Sequence, residues 1–249
     1  MSGPRLRTEL KFVVHHSVQT LLMARWDRCL LPAAHTDAYA TTPILSLYYD
    51  SPDLDFYREK LDGVAIRNKV RLRVYGTRFE AGQTAFVEIK HRVCDKVLKI
   101  REQLMDFTAA DVDPRRWRLR DPAKMAAFSQ LLLRHQLRPT AQVYYQRQAY
   151  EGVVEPGLRV TWDSNLIALH PFERLERWML DSPTRRVMPH SLAILEVKAT
   201  RELPRWVHEG VVVGELRQQT VPKYITAIET LGLHRHRPSR IFAGIEPRT

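Results

Sequence analysis

KVRLRVYG, residues Lys69 to Gly76, sets Lys69, Arg71 and Arg73 at alternate positions between Val70, Leu72 and Val74. Successive side chains of a strand point to opposite faces, so this segment reads as a strand with one cationic face and one apolar face. The alternation recurs in both directions from it. Toward the N-terminus, Arg7, Glu9 and Lys11 share a face opposite Leu10, Phe12 and Val14. Toward the C-terminus, Glu88, Lys90 and Arg92 oppose Val87 and Ile89, and Lys99 and Arg101 share the next face. Tyr145 with Arg147, then Arg159 with Thr161 and Asp163, continue the series. Glu196 and Lys198, opposed by Leu195 and Val197, close it.

Extended by their turn signals, these patterns predict eight strands near residues 7–14, 43–50, 65–75, 84–92, 96–103, 140–150, 157–163 and 193–199,. Helical spacing predicts a helix capped by Ser17 and carrying Val18, Leu21, Leu22 and Trp26, and a second over 122–136,. A third starts near Pro204. A fourth starts near Thr220, with Pro222 in its first turn, and stops near Gly232,. Residues 170–190 read as a long connection with a short excursion. The expected organisation is one domain over 1–233 and a basic tail over 234–249.

The charged faces carry about twelve Lys and Arg against about four Asp and Glu,. A β-sandwich with its polar faces in water fits the alternation alone. It fits the signs less well, because like charges directly opposite on neighbouring strands are destabilising. A one-signed face is explained if it converges on a bound polyanion. The expected class is therefore α+β: an eight-stranded antiparallel β-barrel tunnel with a polar lumen, its apolar outer surface covered by flanking helices. Such a lumen must hold water, ions or ligand, since unpaired buried charge is very costly.

Composition agrees and narrows the function classes. The chain has 249 residues, is 44% hydrophobic and carries a formal net charge of +11, which points to an anionic partner,. Cys29 and Cys94 form no CxxC pair, so a cysteine zinc site is not expected,. No apolar run reaches the ~18 residues of a membrane span, and no signal-peptide core is present, which predicts a soluble cytoplasmic protein. No Walker A motif, G-x-G-x-x-G fingerprint or H-E-x-x-H occurs,. Nucleic-acid readers add exposed aromatics for stacking, and these strands carry few, so nucleic acid is not the expected partner.

Several segments together resemble the VTC-type polyphosphate polymerase domain of the triphosphate tunnel metalloenzyme (CYTH-like) superfamily. RTELKF (7–12) is similar to its first strand, and LYYDSPDLDFYREKLDG (47–63) to its strand–turn–helix segment. KVRLRVYG (69–76) and FVEIKHR (86–92) resemble the next basic strands, and YYQRQAY (144–150) with LRVTWDSNL (158–166) the later pair. LEVK (195–198) and PKY (222–224) resemble the closing motifs.

The resemblance implies an enzyme with a divalent metal, Mn or Mg, that transfers the ATP γ-phosphate to a growing inorganic polyphosphate chain. It implies phosphate contacts at Lys11, Arg71, Arg73, Lys90, Arg147, Arg159 and Lys223, with Lys99 and Lys198 as further positions. Glu196 matches the metal-binding glutamate, and Glu9 and Glu88 are the other carboxylate candidates. Pro222 departs from the family's usual serine and removes a hydroxyl and a backbone donor at the helix start,. Glu9 stands alone where the triphosphatase branch has paired glutamates, which favours the polymerase branch. Metal-dependent hydrolysis of triphosphate or polyphosphate in the same tunnel, and non-enzymatic binding of polyphosphate or RNA, remain the alternatives. A membrane-protein partner that exports the product is a partner the resemblance leaves open.

Overall fold

The computed structural model describes residues 8–33, 41–94, 96–104, 106–219 and 221–236. Among these residues are nine strands and five α-helices, and the α+β class read from the sequence holds. The chain divides into two compact units, each assembled from separated stretches. Unit 1 comprises Met1–Pro43, Tyr145–Leu166 and Met188–Pro222; unit 2 comprises Ile44–Tyr144, Ile167–Val187 and Lys223–Thr249.

Unit 1 holds β1 (Thr8–His15), β2 (Leu30–Pro32) and β9 (Leu192–Ala199), with parts of β7 (Arg138–Gly152) and β8 (Arg159–Leu169). The hydrogen-bonded order here is β1-β9-β8-β7, with β2 on β7. Phe12, Val14, Leu158, Val160, Trp162, Leu195 and Val197 give the apolar face its core. Two helices cover it: α1 (His16–Trp26) through Leu22 and Trp26, and α4 (Arg205–Val213) through Val207. The expected cap of α1 shifts by two residues. His15 ends β1 and is itself the N-cap, its ring nitrogen accepting the Ser17 N–H.

Unit 2 orders its strands β7-β3-β4-β5-β6, with β3 (Thr42–Asp50), β4 (Ile66–Tyr75), β5 (Ala85–Val93) and β6 (Lys96–Gln103). Leu45, Leu47 and Tyr49 of β3 join Val70, Leu72, Val74, Val87 and Ile89 in its core. Trp117 and Phe128 of α3 (Pro122–His135) stack on this face at 4.5 Å between ring centroids. Asp121 caps α3 by accepting the Ala123 and Lys124 N–H groups, and Pro122 occupies the first turn,. Two further helices, α2 (Asp55–Leu61) and α5 (Lys223–Thr230), belong to this unit.

The eight expected strands are present, and β2 is a ninth, too short at three residues to show an alternation. Among the described residues the strand order is a path with β1 and β6 at its ends. The β6 end exposes Lys96, Lys99 and Arg101, and charged side chains are how a sheet edge resists further pairing,. The fourth helix begins at Lys223, so Pro222 precedes it; Thr220 lies outside the described residues. Leu233–His236 forms a 3-10 turn, and the rest of the expected basic tail also lies outside them, as does Arg7. Among the described residues no helix is long and apolar enough to cross a membrane.

Candidate functional site

Register decides which charged side chains become neighbours. In unit 2 it lays the polar face out in rows across the strands. Lys69 pairs with Lys90, and Lys90 with Lys99. The adjacent row is Tyr48, Arg71, Glu88 and Arg101, and the next is Ser46, Arg73, Phe86 and Gln103. On β4, β5 and β6 the face thus carries Arg67, Lys69, Arg71, Arg73, Lys90, Arg92, Lys99 and Arg101, with Glu88 among them. Glu88 binds Arg71 by two guanidinium contacts, reaches Arg73 Nη1 at 3.3 Å and Arg101 Nε at 3.7 Å. Burial opposes its charge, but the three guanidiniums win and bring its carboxyl down to about 2,. The same guanidiniums would repel a metal ion, so Glu88 is better suited to aligning arginines than to ligating a cation.

Two buried atoms on this face lack a hydrogen-bond partner: Ser46 Oγ and Arg73 Nε. They sit on residues that pair directly across β3 and β4. Leaving such groups unsatisfied costs roughly 1–3 kcal/mol each, so an acceptor oxygen would be stabilised there.

Unit 1 arranges a different cluster. Glu9 pairs with Lys198 and Lys198 with Arg159; Lys11 pairs with Glu196 and Glu196 with Thr161. Lys11 Nζ contacts Glu9 at 2.7 Å and Glu196 at 3.0 Å, and Lys198 Nζ contacts Glu196 at 2.9 Å. Burial opposes ionisation of Glu196, yet the Lys198 and Lys11 ammoniums hold its carboxyl well below the usual range. Burial likewise opposes the Lys11 ammonium, but Glu196 and Glu9 outweigh it and raise its pKa. For Lys198 burial prevails and lowers it. Arg147 grips Asp163 with a bidentate pair at 2.6 and 2.7 Å, and Asp163 is fully buried,.

Among the described residues no three His, Cys, Asp or Glu side chains converge as a metal cage. The unit 1 cluster could hold a hard cation where that ion displaces the Lys11 and Lys198 ammoniums, which contact Glu196 at 3.0 and 2.9 Å. Glu9 and Glu196 offer carboxylate oxygens side by side, and Thr161 Oγ1, opposite Glu196, is a buried oxygen with no hydrogen-bond partner. Oxygen donors of this kind would suit Mg or Mn, which would supply charge neutralisation on phosphate oxygens.

The candidates from the sequence therefore fall into two sets. Lys11, Arg147, Arg159, Lys198, Glu9 and Glu196 lie in unit 1; Arg71, Arg73, Lys90, Lys99, Lys223 and Glu88 lie in unit 2. Sequence reasoning placed Thr161 on its face but missed Ser46 and Tyr48 as members of theirs. Strand parity was the available signal, since each shares it with a charged neighbour. It also missed Asp50, which ends β3 on the face of Ser46 and Tyr48.

The chain belongs to the VTC domain family, whose model matches residues 6–232. No protein of the curated set matches it in sequence. Among solved structures it is similar to a putative adenylate cyclase from Bacillus halodurans, at 12% identity and a TM-score of 0.52, over 88% of this chain and 95% of that one. A protein of Pyrococcus horikoshii OT3 aligns at 15% identity and a TM-score of 0.46, over 91% and 99%. The Mimivirus capping enzyme triphosphatase aligns at 8% and 0.38, over 86% and 89%. At these identities the first likeness speaks for the fold alone.

Proposed function

We propose that the protein is a metal-dependent tunnel-fold enzyme, and specifically a polyphosphate polymerase that uses ATP. The observation that carries the reading is the lysine row Lys69–Lys90–Lys99 beside the arginines gathered on Glu88. Like charges held directly opposite one another are destabilising, and an anion laid over them would offset that cost. Lysines spaced by adjacent strands, roughly 4.8 Å apart, suit a repeating anion better than a single phosphate. Family membership agrees with this reading.

In the reaction, a terminal oxygen of the phosphate chain attacks the γ-phosphorus of ATP. The bond from that phosphorus to the β-bridging oxygen breaks, ADP leaves, and the chain is longer by one phosphate. Such transfer asks the protein for alignment and charge neutralisation, not covalent chemistry. Arg71 and Arg73, pre-aligned by Glu88, would clamp phosphate oxygens in planar fashion, and Lys90, Lys99 and Lys223 would act as point charges. Lys11, Arg147, Arg159 and Lys198 are the corresponding cations of unit 1. Glu196, with Glu9 beside it, would hold the divalent ion, which supplies charge neutralisation on phosphate oxygens.

The test is product analysis. Purified protein with ATP and Mn or Mg should release ADP and accumulate long phosphate chains. Glu196→Gln should lower turnover by roughly 100-fold. Release of orthophosphate without chain growth would instead establish hydrolysis by the same groups. Absence of turnover, with RNA binding that weakens steeply in salt, would establish a binding module.

A further inference from the structure

Asp50 is fully buried at the end of β3. Its Oδ1 accepts the N–H groups of Ser51 at 2.7 Å and Phe56 at 2.8 Å; Oδ2 accepts the Tyr57 N–H at 3.0 Å. These bonds cap α2, whose own N-cap residue, Leu54, makes no side-chain cap bond,. The fourth bond is of another kind. The Tyr224 hydroxyl donates to Oδ2 at 2.5 Å, across 174 residues of sequence. Tyr224 lies in the first turn of α5, next to Lys223. Its ring packs 5.2 Å from the ring of Tyr48. Tyr48 in turn accepts a long hydrogen bond from Arg71 Nη1 at 3.4 Å and lies under Lys69 Nζ at 4.9 Å,.

One buried carboxylate is thereby connected to three cations. Through Tyr224 it fixes the start of α5 and so Lys223; through the Tyr224–Tyr48 contact it backs Lys69 and Arg71. All of these groups belong to unit 2. Capping α2 does not require the Tyr224 bond, since the backbone N–H groups are satisfied without it. The bond has a rationale if the direction of α5 matters to what Lys223 touches.

We propose that Asp50 is a positioning residue of the phosphate site, holding Lys223, Lys69 and Arg71, through Tyr224 and Tyr48, in the one arrangement that fits a linear chain of three or more phosphates. The proposal rests on the phosphate-binding reading above and adds the groups that set its geometry. Asp50 touches no phosphate. Its role is to remove the freedom of α5 and of the cations that Tyr48 supports, which lowers the ordering cost of binding.

Calorimetric titration with inorganic tripolyphosphate tests it, alongside thermal unfolding of each variant. Tyr224→Phe is the decisive variant, because it deletes one hydroxyl and leaves the α2 cap and the ring contact with Tyr48 in place. It should weaken tripolyphosphate binding about tenfold, as loss of a charge-assisted hydrogen bond allows. Asp50→Asn should weaken it similarly where it folds. In a Lys223→Ala background the effect of Tyr224→Phe should shrink to about threefold or less, because the group it orients is gone. Unchanged affinity in Tyr224→Phe, with or without a lowered melting temperature, overturns the proposal and leaves the phosphate site standing. Fully additive losses in the double variant overturn the route through Lys223. A wild-type protein that binds no tripolyphosphate overturns the phosphate reading itself and this proposal with it.

Discussion

Glu88 shows how a single residue can serve fold and site together. Its carboxylate gathers Arg71, Arg73 and Arg101 into one cluster, and they bring its pKa down to about 2 from an ordinary 4.5. A folded-state value below the unfolded one means stability that is fully present above about pH 4.5 and lost as pH falls toward 2,. At ~1.4 kcal/mol per unit the contribution at neutral pH is on the order of 3 kcal/mol. Glu88→Gln should therefore lower the urea unfolding free energy by about 3 kcal/mol at pH 7 and by less than half of that at pH 3. An equal loss at both pH values would mean that packing, not charge, is what the substitution removes. Asp50 has the opposite sign. Burial raises its carboxyl to about 6, so its ionisation draws stability down as pH rises from about 4 to 6,. The memberships of the charged faces were legible in the sequence, because a period of two fixes which side chains share a side. Their partners were not. That Glu88 meets Arg71 and Arg101, or that Asp50 meets Tyr224, depends on register and on contacts across long stretches of chain.

At the scale of elements, seven strands were legible to within two residues, since each carries its own alternation, but β8 runs on to Leu169 where 163 was expected. The three-residue β2 carries none. The start of α1 was misplaced because a histidine, not the nearby serine, accepts the capping bond. Gly210, in the middle of α4, is a lone helical glycine whose purpose the sequence does not explain. The structure does: a Cβ there would come within 2.5–2.8 Å of the buried Trp26 indole of α1. The α1–α4 contact in unit 1 depends on that missing atom. An aromatic ring that also packs on Trp162 and Trp206 has little room to retreat. Gly210→Ala gains helix propensity worth about 1 kcal/mol, but the clash should exceed it. The expected net result is destabilisation by about 1–3 kcal/mol, read as a lower melting temperature. A melting temperature at or above wild type would mean that α4 shifts freely on the sheet. Tripolyphosphate affinity should change little, because the unit 2 cations do not touch this contact.

Over the whole molecule, the pooled sign imbalance of the strand faces separates into two unequal parts. In unit 1 the cations Lys11, Lys198, Arg147 and Arg159 lie among Glu9, Glu196 and Asp163. In unit 2 eight cations of β4, β5 and β6 share the face with Glu88. Sequence reasoning treated every basic strand alike, because charge counts do not reveal which strands become neighbours. If the proposed function is right, the two parts should respond differently to metal removal and to salt. Chelation with EDTA should abolish turnover, whereas tripolyphosphate affinity should fall by about threefold or less, because the unit 2 cations bind phosphate oxygens without a metal. Lys90→Gln combined with Lys99→Gln should do the reverse at the binding step. It should weaken tripolyphosphate affinity by about tenfold or more and flatten the dependence on salt, since exposed cations contribute the part of binding that ions screen. Isothermal titration at low and high salt, with and without EDTA, reads all four combinations. If chelation weakens binding as much as loss of the two lysines does, the metal holds the chain directly and the lysine row is not its main seat.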